Sequence, residues 1–178
     1  IRARNRPEVA EFAAELNETI RALGAAHNYV RPHEGQRAST LSGLLADLLA
    51  PYGSAEEGRF SVTGPGIEIG ARAATPLALI FHELATNSAK YGALSCPEGH
   101  LTVTVEEESE GGGEGSVCVS WEEQASSCAD PDKSEHEGFG SRLLRMAVEG
   151  QLGGTFERTF SADGLDVRIV FPRKSIEN

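Results

Sequence analysis

Residues 75–92 read Thr-Pro-Leu-Ala-Leu-Ile-Phe-His-Glu-Leu-Ala-Thr-Asn-Ser-Ala-Lys-Tyr-Gly, and this stretch decides the fold. Thr75 is a suitable N-cap, Pro76 suits a first turn, and Gly92 can end a helix. Apolar residues recur at the helical period and are predicted to be buried: Leu77, Ile80, Phe81, Leu84 and Ala85. The pattern predicts one capped helix with an apolar face.

A stripe of polar side chains follows another side of this predicted helix. Glu83, Asn87 and Lys90 are four and three residues apart, so a helix brings them to one side. Stripes of this kind are often only solvated surface. Asn, however, is a poor interior helix former, and Tyr91 is large and apolar for a surface position. We therefore interpret the stripe, which offers a base, an amide oxygen and a cation, as a site.

Three segments of the chain carry a resemblance to a known family. The segment 82–95, His-Glu-Leu-Ala-Thr-Asn-Ser-Ala-Lys-Tyr-Gly-Ala-Leu-Ser, resembles the N-box of a sensor histidine kinase of the HWE type. Trp121-Glu122-Glu123 resembles the Trp-x-Glu signature of that type, and Gly138-Phe139-Gly140-Ser141-Arg142-Leu143 resembles the glycine box that follows it. The three motifs stand in the expected order, which makes the resemblance specific.

The bulk composition limits the classes of partner. A chain of 178 residues with 39% hydrophobic content is long and apolar enough for one domain with a core and a helical appendage. A net charge of −11 argues against nucleic acid and against contact of this segment with an anionic membrane surface. A nucleotide would need local cations, which Lys90, Arg142 and Arg145 supply beside the motifs.

Cysteine usage and hydropathy predict a cytoplasmic location. The three cysteines, Cys96, Cys118 and Cys128, have no metal-ligand spacing and indicate neither a disulfide scaffold nor a zinc site, which favours a reducing compartment. No run approaches the roughly 20 apolar residues of a membrane span. The chain starts at Ile1 without Met, so we expect it to be a fragment, with any sensor or membrane part upstream.

The order of predicted elements indicates the fold class. The helical period predicts an amphipathic helix over 7–31. The resemblance then implies that residues 1–34 are the trailing part of a helical dimerisation and phosphotransfer element and that residues 35–178 are a catalytic ATP-binding domain. A second helix is predicted from Ser39 or Thr40 to Leu49, and a third over 141–152 with inward residues Leu143, Leu144, Met146, Ala147 and Leu152. Strands are predicted at 60–63, 67–69, 101–105, 116–121, 155–160 and 165–171, with a polar loop or lid over 124–137. Antiparallel strand pairs with helices on one face predict an α+β two-layer sandwich preceded by an amphipathic helix. The resemblance implies the same ATP-binding fold.

The resemblance also implies roles for the N-box residues. It implies Mg²⁺ and ATP as cofactors, with Asn87 on the metal and Glu83 acting through metal-bound water or as the base for the incoming imidazole. Lys90 would face the phosphates, although a surface lysine is its ordinary interpretation, and Tyr91 would lie in the same ATP site. His82 projects about 100° away from Glu83 on an ideal helix, so packing is as good an interpretation of it as catalysis.

The other two motifs would complete the ATP site. Gly138 and Gly140 would let backbone approach the nucleotide, with Phe139, Ser141, Arg142 and Leu143 beside them, although a plain strand-to-helix turn has the same composition. Glu123 occupies the place at which the wider superfamily reads adenine with an Asp, but without the glycines that normally follow. Trp121 is predicted to be core rather than a stacking platform for adenine.

The implied activity is that of the catalytic region of a two-component histidine kinase. The γ-phosphoryl would pass to a histidine expected upstream of Ile1, because His27 lacks the context of an acceptor box, and then to an aspartate of a response-regulator receiver domain. A sensor domain, an upstream phosphoacceptor helix and a second copy of the chain are the other candidate partners. The alternatives are a related ATPase or serine kinase, and a nucleotide-binding regulatory or scaffold module without transfer.

Overall fold

The computed structural model describes residues 40–53, 58–108, 115–124, 139–161 and 164–177. The elements, in chain order, are α1 (Leu41–Leu49), a 3-10 turn (Ala50–Tyr52), β1 (Phe60–Thr63), α2 (Ala71–Tyr91), a 3-10 turn (Ala93–Ser95), β2 (His100–Glu108), β3 (Ser116–Gln124), α3 (Phe139–Arg145), a π turn (Met146–Gln151), β4 (Thr155–Ser161), β5 (Gly164–Pro172) and α4 (Arg173–Glu177). The predicted helix over 7–31 lies outside the described residues, as does the predicted loop over 124–137 apart from Gln124.

The strands form one five-stranded sheet in the order β1-β2-β3-β5-β4. Every neighbouring pair is antiparallel except β1 and β2, which are parallel. The helices cover one face of this sheet, where residues such as Leu101, Val119 and Ile169 are fully buried. The predicted α+β two-layer sandwich is confirmed. The sequence pattern predicted antiparallel strand pairs and did not include the parallel pair, in which α2 connects β1 to β2 as a β-α-β crossover.

Helix α2 is the N-box helix and forms the centre of the helical layer. Its predicted inward residues are all buried, at 0–4% exposure: Leu77, Ile80, Phe81, Leu84 and Ala85. The helix starts at Ala71 with Gly70 at its N-cap, one turn before the predicted cap Thr75. Pro76 therefore lies inside the helix as its sixth residue, where its missing N–H removes the hydrogen bond that it would have donated to the Arg72 carbonyl. The predicted end at Gly92 is confirmed.

Helix α1 confirms its predicted start and end. The Thr40 hydroxyl accepts a hydrogen bond from the Gly43 backbone N–H at 3.2 Å, which caps the helix. The predicted strand over 67–69 is wrong, because Glu68 makes only an isolated bridge to Thr40. Ile67 and Ile69 are nevertheless buried, so their alternation reflects packing under α1 rather than pairing in the sheet.

The predicted helix over 141–152 is present, but its second half is a π turn. The extra residue per turn changes which side chains face inward. Leu144, Ala147 and Leu152 are buried as predicted, whereas Met146 is 61% exposed and Val148 is buried in its place. The inward prediction for Met146 is therefore wrong.

The cysteines differ from the expectation drawn from their number and spacing. Cys96 is disulfide-bonded in this structure. Cys118, in β3, is a free and fully buried thiol. A single disulfide does not make a disulfide-rich scaffold. Its presence nevertheless removes the argument for a reducing compartment that was drawn from the cysteines.

Within the described ranges, no helix combines the length and apolar character that crossing a membrane requires.

Candidate functional site

The N-box stripe is present on α2, and two of its residues contact each other. The Nδ2 atom of Asn87 donates a hydrogen bond to Oε1 of Glu83 at 3.2 Å, one helical turn away. An ionised carboxylate only accepts hydrogen bonds, so the amide must present its nitrogen to Glu83. This leaves Oδ1 as the Asn87 atom that can coordinate a cation.

The glycine box comes to the same place through Gly140. A Cβ atom added at Gly140 would overlap the Glu83 carboxylate, whose Cδ would lie 2.3 Å away. Only a residue without a side chain allows α3 to begin this close to Glu83. The structure thus brings together two motifs that have the β2–β3 strand pair between them in the sequence.

The third motif lies in β3 at the far end of α2. Trp121 is fully buried and Glu123 is 4% exposed, and both point to the helical side because they are two residues apart on a strand. The burial of Trp121 confirms its assignment to the core. Oε1 of Glu123 accepts a hydrogen bond from Nε1 of Trp121, and Oε2 accepts one from the Ala93 backbone N–H, both at 2.8 Å.

The turn after α2 is fixed by further hydrogen bonds. The Ser88 hydroxyl, itself buried, accepts from the Leu94 backbone N–H at 3.3 Å. Gly92 approaches Glu123 so closely that an added Cβ would overlap its carboxylate. The end of the N-box helix is therefore held against β3.

Arg59 is a site-supporting residue that the sequence interpretation missed. Its guanidinium donates to the Leu94 carbonyl at 2.9 Å, to the Pro97 carbonyl at 2.7 Å, and to the Cys96 carbonyl. One side chain, that of the residue immediately before β1, thus binds three backbone carbonyls of the segment after α2. The sequence offered no signal for this, since Arg59 lies outside every motif and its partners are backbone atoms.

The remaining predicted site residues are spread over two places. Lys90 and Tyr91 are exposed at the end of α2, while His82 is half-buried and turned away from Glu83 along the helix. Ser141 and Arg142 line an open surface cavity of about 490 Å³ together with Arg145, Met146, Glu149 and Gly150. Leu143 is half-buried, Phe139 begins α3, and Gly138 lies outside the described residues. The structure therefore places Gly140 against the N-box, but Arg142 on a separate cavity.

The oxygen atoms of Glu83 and Asn87 suit a magnesium ion better than a metal whose ligands all come from protein side chains. Across the described ranges, no group of three or more His, Cys, Asp or Glu side chains is arranged to hold a metal. Mg²⁺ is commonly bound through one or two protein oxygens and completes its shell with phosphate oxygens and water. A carboxylate and an amide oxygen one turn apart suit that mode.

Comparison with known proteins identifies the relatives of this chain. The sequence model described as HWE histidine kinase matches residues 1–66. "Blue-light-activated histidine kinase 1" of Erythrobacter litoralis is 34% identical over 171 residues, which cover 96% of this chain and 46% of that protein. This chain is a relative of the HWE histidine kinases. The "Blue-light-activated histidine kinase" of Rhizobium johnstonii is 30% identical over 97% of this chain and 47% of its own length, so the chain spans about half the length of the curated relatives it matches.

A solved histidine kinase domain shares the fold. The histidine kinase domain from Erythrobacter litoralis EL346 blue-light activated histidine kinase superposes with a TM-score of 0.66 at 19% identity. The superposition covers 90% of this chain and 77% of that one. At this identity the similarity establishes the architecture, a histidine kinase fold, and leaves the roles of individual residues to the geometry.

Proposed function

We propose that this chain carries the ATP-binding catalytic region of a sensor histidine kinase, which transfers the γ-phosphoryl group of Mg-ATP to a histidine. The observation that carries the proposal is the Asn87–Glu83 contact at 3.2 Å, closed from one side by Gly140. This contact lies where the N-box meets the glycine box. It leaves the Oδ1 oxygen of Asn87 for a cation. The relationship to named histidine kinases supports the same reaction class.

Two side chains of α2 would hold the metal and serve the reaction. Asn87 would coordinate Mg²⁺ through Oδ1, with Glu83 fixing the amide orientation. When bound, the ion would neutralise charge on the phosphate oxygens. Glu83 would also be the proton acceptor for the imidazole that receives the phosphoryl group, because it is the carboxylate beside the metal-binding amide.

Cationic and backbone groups would position the triphosphate. Lys90 lies on the same stripe of α2, three residues after Asn87, and would contact phosphate oxygens. Gly140 would let the backbone at the start of α3 approach the nucleotide, with Gly138, Phe139, Ser141, Arg142 and Leu143 as the accompanying segment. Tyr91, which is 47% exposed at the end of α2, would contribute its ring near the nucleotide.

The proposed reaction needs partners beyond this chain. In the transfer, the bond between the γ-phosphorus and the bridging oxygen breaks, a bond from phosphorus to an imidazole nitrogen forms, ADP leaves, and the imidazole proton passes to Glu83. The acceptor histidine would lie upstream of residue 1 on a helical element, and a response-regulator receiver domain would take the phosphoryl group on an aspartate. A sensor domain and a second copy of the chain are further proposed partners, and the cytoplasm is the proposed location.

The test is phosphorylation of the full-length protein with γ-labelled ATP and Mg²⁺. We expect a label that is lost in acid and kept in alkali, which is the behaviour of phosphohistidine. An acid-stable label would instead indicate a serine kinase. Mg-ATP binding without any label on the full-length protein would indicate a nucleotide-binding module without transfer activity.

A further inference from the structure

Both oxygens of the Glu123 carboxylate accept a hydrogen bond inside the protein. One oxygen accepts from the Trp121 indole N–H and the other from the Ala93 backbone N–H, each at 2.8 Å, and the side chain is 4% exposed. Hydrogen bonds to an ionised acceptor are stronger than those between neutral groups, and leaving either buried donor unpaired would be costly. Each carboxylate oxygen can accept a second hydrogen bond, but at 4% exposure little of this group is open to an adenine amine.

The spacing of the Trp-x-Glu motif has a direct physical reason in this arrangement. Side chains two residues apart on β3 lie on the same face, so the Trp121 indole is positioned beside the Glu123 carboxylate. The indole nitrogen is a donor only, and in the buried core it needs an acceptor. Trp121 thereby holds the carboxylate in the orientation that meets Ala93.

Glu123 holds the first turn of the chain after α2, the N-box helix. Gly92 ends α2 and lies against the carboxylate with no room for a Cβ atom. Ser88 binds the N–H of Leu94, and Arg59 binds its carbonyl. Glu123 is thus one of three side chains, from three separate parts of the chain, that fix this turn immediately after Lys90 and Tyr91.

We infer that Glu123 is a positioning residue, which fixes the end of helix α2 against strand β3 and acts on nucleotide binding through the Gly92–Ala93 turn rather than through the purine base. The inference deepens the proposed function and rests on it for the effect on nucleotide affinity. The contact of Glu123 with Trp121 and Ala93 can be measured without any nucleotide. The inference and the proposed function can therefore fail separately.

The first measurement uses the unchanged protein. Trp121 is the single tryptophan of the chain, so its indole N–H gives one assignable resonance in a nitrogen-15 correlation spectrum. In the nucleotide-free protein we expect slow exchange of the indole and of the Ala93 amide, and saturating Mg-ATP should leave the indole shift in place. A large indole shift on addition of Mg-ATP, not seen with Mg-GTP, would overturn the inference, because it would show the carboxylate turning toward the adenine amine.

The second measurement compares Glu123→Gln with Glu122→Gln, its exposed neighbour on the opposite face of β3. A glutamine keeps one acceptor oxygen and turns an N–H₂ group toward the other donor. We expect Glu123→Gln to speed exchange at Ala93 by about tenfold or more and to weaken Mg-ATP and Mg-GTP by the same factor, with no such change in Glu122→Gln.

The ratio of the two affinities separates the roles. An unchanged ratio of Mg-ATP to Mg-GTP affinity supports positioning, whereas a ratio that falls toward one assigns Glu123 to the base. Unchanged exchange at Ala93 in Glu123→Gln also overturns the inference. If the unchanged protein bound no Mg-ATP, the proposed function would fail, while protection of the indole and of Ala93 would still show the contact.

Discussion

The amide nitrogen of Asn87 lies 3.2 Å from a carboxylate oxygen of Glu83, one turn earlier on the same helix. Because the carboxylate can only accept, it fixes which end of the amide is free. The pair therefore assigns different tasks to its members. We propose that Asn87 offers its oxygen to a cation, and that Glu83 provides the negative charge and the base.

Replacing Glu83 by glutamine should separate nucleotide binding from transfer. Glutamine has nearly the same shape but is not a base at neutral pH. We expect the rate of transfer in the full-length protein to fall by about 10²–10⁴-fold, the usual contribution of a positioned general base. Mg-ATP affinity should fall much less. Single-turnover labelling and calorimetry measure the two quantities, and an unchanged transfer rate would exclude Glu83 as the base.

Gly140→Ala should disturb the site more than the fold. The added methyl group would overlap the end of the Glu83 side chain, which can move aside, so we expect a change in unfolding free energy of no more than about 1 kcal/mol. Moving Glu83 would release the Asn87 amide and weaken Mg-ATP binding.

The matched control for this change is Gly150→Ala, ten residues later. An added Cβ at Gly150 would meet only Met146 Cγ at 3.8 Å, an ordinary contact distance. Calorimetric titration of both variants with Mg-ATP should show a loss for Gly140→Ala alone. Equal affinities for the two variants would contradict the close approach of the glycine box to Glu83.

The helix of the N-box could be predicted from sequence because its information is local. The apolar period fixed the buried face, from Leu77 to Ala85, and Gly92 marked the end. The start was misplaced at Thr75 because a proline near the beginning of a helix is compatible with more than one starting residue. Glu68 could not be assigned correctly either, since alternation alone does not show whether a strand has a partner.

Arg59→Ala should destabilise the protein although Arg59 lies in no motif. The substitution removes the donors to the carbonyls of Leu94, Cys96 and Pro97. Hydrogen bonds to charged groups contribute about 1.5–3 kcal/mol, so we expect a loss in unfolding free energy of at least that size. Urea denaturation measures it.

Arg72→Ala, at an exposed position near the start of α2, is the control for the loss of an arginine. Its unfolding free energy should stay within about 0.5 kcal/mol of the unchanged protein. If Arg59→Ala were no more destabilising than Arg72→Ala, the hydrogen bonds to the turn would contribute nothing measurable.

Cys118 should make the stability depend on alkaline pH. Burial raises the pKa of its thiol, with Arg168 acting in the opposite direction and Glu108 in the same one. A thiol whose pKa is higher in the folded state ionises first in the unfolded state. Its contribution is therefore complete below the unfolded pKa, about 8.5, and is lost as the pH rises toward the folded value.

The measurement is the unfolding free energy at neutral pH and at alkaline pH, compared between the unchanged protein and Cys118→Ala. The stability of the unchanged protein should fall more steeply above about pH 8.5 than that of the variant. Identical pH dependence in both would show that the thiol has the same pKa in the folded and unfolded states.

The candidate site was predictable in part, and the reason lies in the distances between its residues along the chain. Glu83, Asn87 and Lys90 share one helix, so their spacing was enough to place them on one stripe. The contact of Gly140 with Glu83 and the contact of Glu123 with Ala93 join elements far apart in sequence. The local sequence carries no information on such contacts, and for Glu123 the resemblance implied a base-reading role without showing the donors that its carboxylate meets inside the protein.

Titration of Mg-ATP into the protein and into Asn87→Ala, each with and without excess EDTA, tests the central claim most directly. The account predicts that the unchanged protein binds ATP much more tightly with Mg²⁺ than without it. Asn87→Ala should lose that dependence while keeping its unfolding free energy within about 1 kcal/mol. Metal-dependent ATP binding of unchanged affinity in Asn87→Ala would contradict the account.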